Sequence, residues 1–493
     1  MLCPVCPQVF LLPEGGGYSR GTYIEREECV SRLWRSLLAA ALLLGLVSLP
    51  RPAAAAEGDI LARLKAVPGL TVVSEVPVAA PHRFFILTFR QYVDHNNPSL
   101  GTFEQRFTLL HRDTARPMVL HTSGYNVTTR AFRSEPTQLL AGNQISVEQR
   151  YFTPSIPANA DWSKLNIWQA ATDHHRIVSA LRKIYTAKWV STGASKGGMT
   201  SVYHRRYYPN DVDGTVAYVA PNDVVADSDA AYDRFFANVG TPECRAALDA
   251  VQVEALHRRA TLEPRLEEWA AANGRTFTTV SGPDRGYEYM VNSAQWGFWQ
   301  YGGLSLCAKV PATTASDDDL LSWLDDWGGL DSTTDQGLAP FTPYYYQAGT
   351  QLGYPLIQLD HLKSQQKYRF QDTPRNMVPA DIPMWFQPWV MLEIDQWVQF
   401  KGSRLLFVYG QNDPWGAEPF KLGPGSKDSL SYVAQGANHG ANIAKLTAEE
   451  TATATAALRR WAGYTPPATL AGEHIPSLDD WDPTMDRTLN PVR

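Results

Sequence analysis

Cysteine is scarce in this sequence, basic charge is not in excess, and no apolar run reaches the length of a membrane span. Of 493 residues only five are Cys, and 44 Lys and Arg are outnumbered by 50 Asp and Glu, for a net charge of −6. A small scaffold held by dense disulfides is thereby excluded, and a basic face for nucleic acid is not expected. A charged fraction of 19% beside 44% hydrophobic residues also excludes a disordered chain, a coiled coil and a polytopic membrane protein. There is no HExxH, no P-loop and no Gly-rich dinucleotide fingerprint after the first strand. His174 and His175 are neighbours on a predicted helix, so their side chains diverge by about 100° and cannot share a metal. No metal and no cofactor are expected. Aromatic residues, by contrast, are plentiful: 15 Trp and 22 Tyr are enough to line cavities as well as cores.

The apolar run Leu37–Leu49 has thirteen residues, where a transmembrane helix needs roughly 20. Arg32 and Arg35 precede it, Pro50 and Pro52 end it, and Ala53–Ala56 offers a small-residue cleavage site. Residues 30–56 therefore read as a signal peptide, with a secreted mature chain beginning near Glu57 and no stable membrane span after cleavage. Upstream, Glu14, Glu25, Glu27 and Glu28 stand where a signal should be basic, which places the expected translation start near Val30. Removing this leader removes Cys3, Cys6 and Cys29. Cys244 and Cys307 remain, and in an oxidising compartment they are expected to bond to one another.

Along the mature chain, residues 83–92 (RFFILTFRQY) and 104–111 alternate apolar with polar, as half-buried strands do. Strands are also expected at 118–121, 144–150, 188–192 and 214–220, with helices at 166–185 and 199–207. From about Asp223 the pattern turns helical, with candidates at 230–237, 246–260, 263–272, 317–327 and 393–400. Strands return at 404–409 and 431–434, before a helix at 448–461. Strands alternating with helices give an α/β fold with a mostly parallel sheet. The expected division is a leader (1–56), a first α/β part (57–222), a helical cap insertion (223–397) and a second α/β part (398–493). The tail after Pro466 reads as an irregular surface segment.

Gly193-Ala194-Ser195-Lys196-Gly197 is a G-x-S-x-G between a predicted strand and a predicted helix. That context makes Ser195 a nucleophile projecting from a sharp turn, with the Lys196 N–H at a helix N-terminus as an oxyanion donor. A second match, Gly17-Tyr18-Ser19-Arg20-Gly21, has no strand before it and lies upstream of the signal. A nucleophile needs a base, and the base an orienting acid. Asp413 stands on the turn after the strand RLLFVY, and His439 on a Gly-rich loop after the next strand, so both fall at the carboxyl edge of the sheet with Ser195. The second oxyanion donor is expected from the loop after His121, at Gly124 or Tyr125.

These segments resemble the secreted bacterial prolyl tri/tetrapeptidyl aminopeptidase family of serine peptidases and, more distantly, the lysosomal Pro-Xaa carboxypeptidase and dipeptidyl peptidase II. The likeness is carried by Gln91–Pro98 with Thr102–Phe107, by Glu148-Gln149-Arg150-Tyr151-Phe152, by Gly193–Gly198, by Tyr346–Gly353, and by Asp413-Pro414-Trp415 with His439. The resemblance implies an α/β-hydrolase with a large helical cap, acting on peptides after proline near a free amino terminus. Trp415 and Tyr344, Tyr345 and Tyr346 are the expected walls of a proline pocket, with Gln347 and Gln351 on the same insertion segment. Gln351 stands where the lysosomal relatives carry an acid. The rival readings are an esterase or lipase on the same fold, and a non-catalytic binding protein. Beyond peptide substrates no partner is implied.

Overall fold

In the computed structural model, which describes residues 59–225, 229–467, 473–486 and 489, the alternation of RFFILTFRQY becomes a strand of the same bounds. Its residues Phe85, Leu87, Phe89 and Gln91 are turned inward. The signal segment, the cleavage point before Glu57, and Cys3, Cys6 and Cys29 lie outside the described residues. Among those described, nine strands form one sheet: β1 (Leu70–Val76), β2 (Arg83–Tyr92), β3 (Thr102–His111), β4 (Met118–Thr122), β5 (Asn143–Val147), β6 (Trp189–Ala194), β7 (Gly214–Tyr218), β8 (Leu405–Gly410) and β9 (Leu430–Ala434). Their order is β1-β2-β3-β5-β4-β6-β7-β8-β9. β1, β2, β3 and β5 pair antiparallel, and every neighbouring pair from β5 through β4 to β9 is parallel. Every residue of β5, β7 and β8 is buried, as parallel strands covered on both faces must be.

Helix Lys196–Tyr207 packs on one face with helix Trp389–Lys401, through Val202, Tyr203, Ile394, Val398 and Phe407. Helix Ala448–Trp461 covers the other, Leu458 and Trp461 meeting Val216 and Leu406. Between β7 and β8 run the helices Ala230–Asn238, Pro242–His257, Arg259–Ala272, Pro283–Tyr301 and Asp317–Trp327, then Thr342–Gln347 continuing into a π-helical turn, Ala348–Leu352. Most match expected segments with shifted ends. Helix Pro283–Tyr301 was not anticipated. It is buried without interruption from Gly286 to Gln300, polar Glu288, Asn292 and Gln295 included, so contrast between polar and apolar residues does not mark which side faces inward. Helix Trp389–Lys401, expected at the end of the insertion, lies against the sheet and spans the boundary drawn at 397.

Two features tie distant parts together. Within the described part of the tail, expected as an irregular surface segment, Leu478 is buried against Phe84 and Leu110, and Arg133 donates to Asp479 at 2.7 Å. Cys244 and Cys307 are bonded across a separation of 63 residues, joining helix Pro242–His257 to the turn Leu304–Lys309. In the chain-entropy account a loop of that size stabilises by about 4 kcal/mol. Thiol titration of the denatured, unreduced mature protein is expected to find no free thiol, and reduction should lower the urea midpoint. Two titratable thiols before reduction would refute the bridge.

Candidate active site

β6 ends at Ala194 and the next helix begins at Lys196, so the chain reverses on Ser195 alone. Its φ of 54° and ψ of −131° mirror the first central position of a type II turn, a region that favours glycine. Two backbone bonds hold it there: its N–H donates to Tyr218 O (2.9 Å) and its carbonyl accepts from Met199 N (3.0 Å). The flanking glycines are required by contact. A Cβ on Gly193 would lie 2.4 Å from the carbonyl of Gly197, and one on Gly197 2.4 Å from Thr122 O. The Lys196 N–H, in the first helical turn, has no acceptor within the helix.

Asp413 stands three residues past the end of β8 and caps the short turn Pro414–Ala417, its carboxylate accepting from Trp415 N at 3.2 Å. Its other oxygen meets His439 Nδ1 at 2.8 Å, with both side chains at most 1% exposed. Asp413 accepts a hydrogen bond from the Nδ1–H and so leaves Nε2 as the nitrogen without a proton. That Nε2 is buried and makes no hydrogen bond to a described residue. Tyr125, on the loop after β4, lines the same cleft as Ser195, its phenol within range of an interaction with the serine hydroxyl. The loop carrying His439 is fastened to the end of helix Pro283–Tyr301: His439 N donates to Gln300 O (3.1 Å), Asn438 to Gly302 O (3.0 Å), and the Tyr301 ring stands edge-on to the imidazole at 6.1 Å.

The loop after β4 closes over the nucleophile turn. Gly124 has φ 75° and approaches so closely that a Cβ would sit 2.6 Å from Gly197 N. Its carbonyl accepts from Lys196 Nζ at 2.5 Å. The Tyr125 N–H, expected as an oxyanion donor, is already given to Ser123 Oγ at 3.1 Å. Lys196 Nζ lies 5.4 Å from the ring centres of both Tyr125 and Phe152, and burial pushes the ammonium down to about 7.

From Ser195 a narrow cleft opens, walled by Met199, Tyr232, Tyr344, Leu352, Pro355 and Trp415, with Tyr125 and Asp223 also lining it. Of the aromatics expected there, Trp415 and Tyr344 are present, Trp415 braced edge-on by Trp296 at 4.8 Å. Tyr345 lies beside Tyr344 at 5.0 Å, and Tyr346 packs on Trp162 at 5.3 Å. Gln347 borders a separate small cavity with Gln149. Gln351 accepts from Ile167 N at 2.9 Å, closing the start of helix Ile167–Leu181. Met199, Tyr232, Pro355 and Asp223 were not singled out from sequence. Asp223 alone carried a signal, standing just past the carboxyl end of β7.

The PS-10 peptidase S37 family matches residues 53–488. A prolyl tri/tetrapeptidyl aminopeptidase of Streptomyces mobaraensis is 52% identical over 465 residues, 92% of this chain and 97% of its own. Solved structures that resemble the fold include a proline iminopeptidase of Mycobacterium smegmatis, with TM-score 0.34 and 14% identity over 76% of this chain and 98% of that one. A homoserine O-acetyltransferase of Staphylococcus aureus has TM-score 0.34 and 9% identity, over 78% and 96%. Among the described residues no helix is long and apolar enough to cross a membrane.

Proposed function

The chain belongs to the S37 family of serine peptidases, and on that premise we propose that it is a secreted exopeptidase releasing tri- or tetrapeptides from free amino termini by cleavage after proline. His439 Nε2 takes the Ser195 proton as Oγ attacks the scissile carbonyl carbon. The carbonyl's electron pair becomes an oxyanion, and the Lys196 N–H donates to it. His439 then gives the proton to the leaving amine, the C–N bond breaks, and water repeats the sequence on the acyl-enzyme. Asp413 holds the imidazole in the tautomer that both steps use.

The observation that carries the reading is the cleft at Ser195. Its apolar and aromatic walls suit a proline ring, whose fixed φ lets it dock at small entropic cost. Asp223 gives the same cleft a carboxylate for an ammonium group. The helices between β7 and Trp389 serve in this reading as the lid that limits how much chain fits on the amino side. The 52% identity to an enzyme of the same activity and the leader at 30–56 support specificity and secretion respectively.

The test compares Xaa-Xaa-Pro-anilide with its N-acetylated form and a short-chain nitrophenyl ester. The free amine should be cleaved at least about tenfold faster in kcat/KM, the lower end of what one charge-assisted hydrogen bond contributes, and Asp223→Asn should narrow the difference. Indifference to acetylation, or cleavage of the ester alone, would transfer the chain to the esterases.

A further inference from the structure

The Tyr125 side chain has no part in the acyl-transfer scheme so far, yet it lines the same narrow cleft as the nucleophile. Tyr125 is 3% exposed and its phenol interacts with the Ser195 hydroxyl. Its backbone N–H is committed to Ser123 Oγ, and its carbonyl accepts from Gln149 N at 2.9 Å. Its ring is held by Phe152 and Tyr344, each at 5.7 Å, and by Phe341 at 6.4 Å. Lys196 fixes the same loop from below through Gly124 O. A phenol so confined is a preorganised dipole rather than a mobile one.

We infer that the phenol O–H of Tyr125, and not its backbone N–H, is the second oxyanion donor beside the Lys196 N–H. This rests on the acyl-transfer reading of Ser195 given above. Before attack, the Ser195 hydroxyl leans on the Tyr125 oxygen. When His439 Nε2 removes the serine proton, that contact ends and Oγ bonds to the carbonyl carbon. The carbonyl oxygen gains the electron pair within reach of the tyrosine, whose own proton is donated to it as a hydrogen bond and stays on the phenol. No proton or electron is left over. Burial, with Tyr301 and Tyr345 nearby, raises the phenol well above its ordinary value, which favours its neutral, donating form.

Tyr125→Phe in the full mature chain removes the donor and keeps the ring packing. With rates normalised to folded protein by near-UV circular dichroism, kcat should fall about 10²- to 10³-fold, with KM changed by less than about threefold. A peptide aldehyde, which forms a tetrahedral adduct with the serine, should lose affinity in parallel; a merely structural role would not produce that correlation. The nitrophenyl ester is run alongside the peptide because every acyl transfer passes through an oxyanion. If the peptide proves a poor substrate and the ester still reports the loss, the proline-peptidase reading fails and this one stands. If Tyr125→Phe keeps kcat within about threefold on both substrates, the assignment is overturned.

Discussion

Ser195→Ala is expected to lower kcat about a million-fold while the protein is secreted and folded as before. The size of the loss follows from the geometry: the oxyanion donors and cleft remain, but nothing is left to attack. His439→Ala should be comparably severe because nucleophile and base act as one unit. Asp413→Asn should cost about ten-thousand-fold by presenting the wrong tautomer at Nε2. Folding is spared because the Ser195 backbone is held by Tyr218 and Met199, neither of which touches the hydroxyl. Alanine retains the Cβ and therefore the unfavourable φ of 54°. Ser195→Gly relieves it, and so should be just as inactive yet more stable by on the order of 1 kcal/mol. Urea unfolding of the two variants beside the parent, with burst-free kinetics on an anilide, checks both halves. An active Ser195→Ala protein would remove Ser195 from the mechanism. A Ser195→Gly protein no more stable than Ser195→Ala would remove the strain argument but leave the chemistry.

The placement of Ser195, Asp413 and His439 past the ends of strands was legible in the sequence because each follows a short apolar strand, and a parallel sheet brings its carboxyl ends to one edge. The buried 2.8 Å contact between His439 and Asp413 is the geometry which that order anticipates. Strands such as β2 showed themselves by alternation. β1 did not, since LTVVSEV lies at the sheet edge with all but Leu70 at least partly exposed, leaving little contrast to read. Helix Pro283–Tyr301 failed for a different reason, being buried all round with Glu288, Asn292 and Gln295 among its inward residues, although it is the element that anchors the His439 loop. The cleft walls were legible only in part. Tyr125, Met199, Tyr232, Tyr344 and Trp415 come from five separate segments, and only the packing of those segments decides which aromatics face Ser195 and which, like Tyr346, face Trp162. Gln351 looked like a pocket residue because of its place in the insertion; its amide serves a helix start instead. The role of the Tyr125 hydroxyl was hidden because a loop's place in the topology indicates backbone donors, not which side chain turns inward.

Asp173→Ala is expected to cause the largest loss of stability of any single change considered, about 3–5 kcal/mol. Arg150 and Asp173 form a bidentate pair, Nε to Oδ2 at 2.7 Å and Nη2 to Oδ1 at 2.8 Å, with both side chains 0% exposed. His95 adds Nε2 to the same carboxylate at 2.7 Å, and the remaining guanidinium protons go to the carbonyls of Tyr92, Val93 and Lys164. The network binds the exits of β2 and β5 to helix Ile167–Leu181, one residue from Gln149, whose N–H supports the Tyr125 loop. Removing the carboxylate leaves a buried cation with no counter-charge, whereas Arg150→Met combined with Asp173→Leu removes both charges and should restore much of the loss. The acid limb gives an independent check. Burial alone would raise Asp173, but the charge and hydrogen bonds of Arg150, with His95, hold it below the usual carboxylate value. Its contribution is therefore complete above the unfolded value near about 3.9 and disappears as pH falls through the lower folded value. In that window the unfolded chain binds more protons, so stability rises with pH in the parent, and Asp173→Asn should show a flatter acid limb. Urea midpoints measured at several pH values for the parent, both single variants and the double variant test the account. A double variant as unstable as Asp173→Ala would mean that packing, not the unpaired charge, sets the loss.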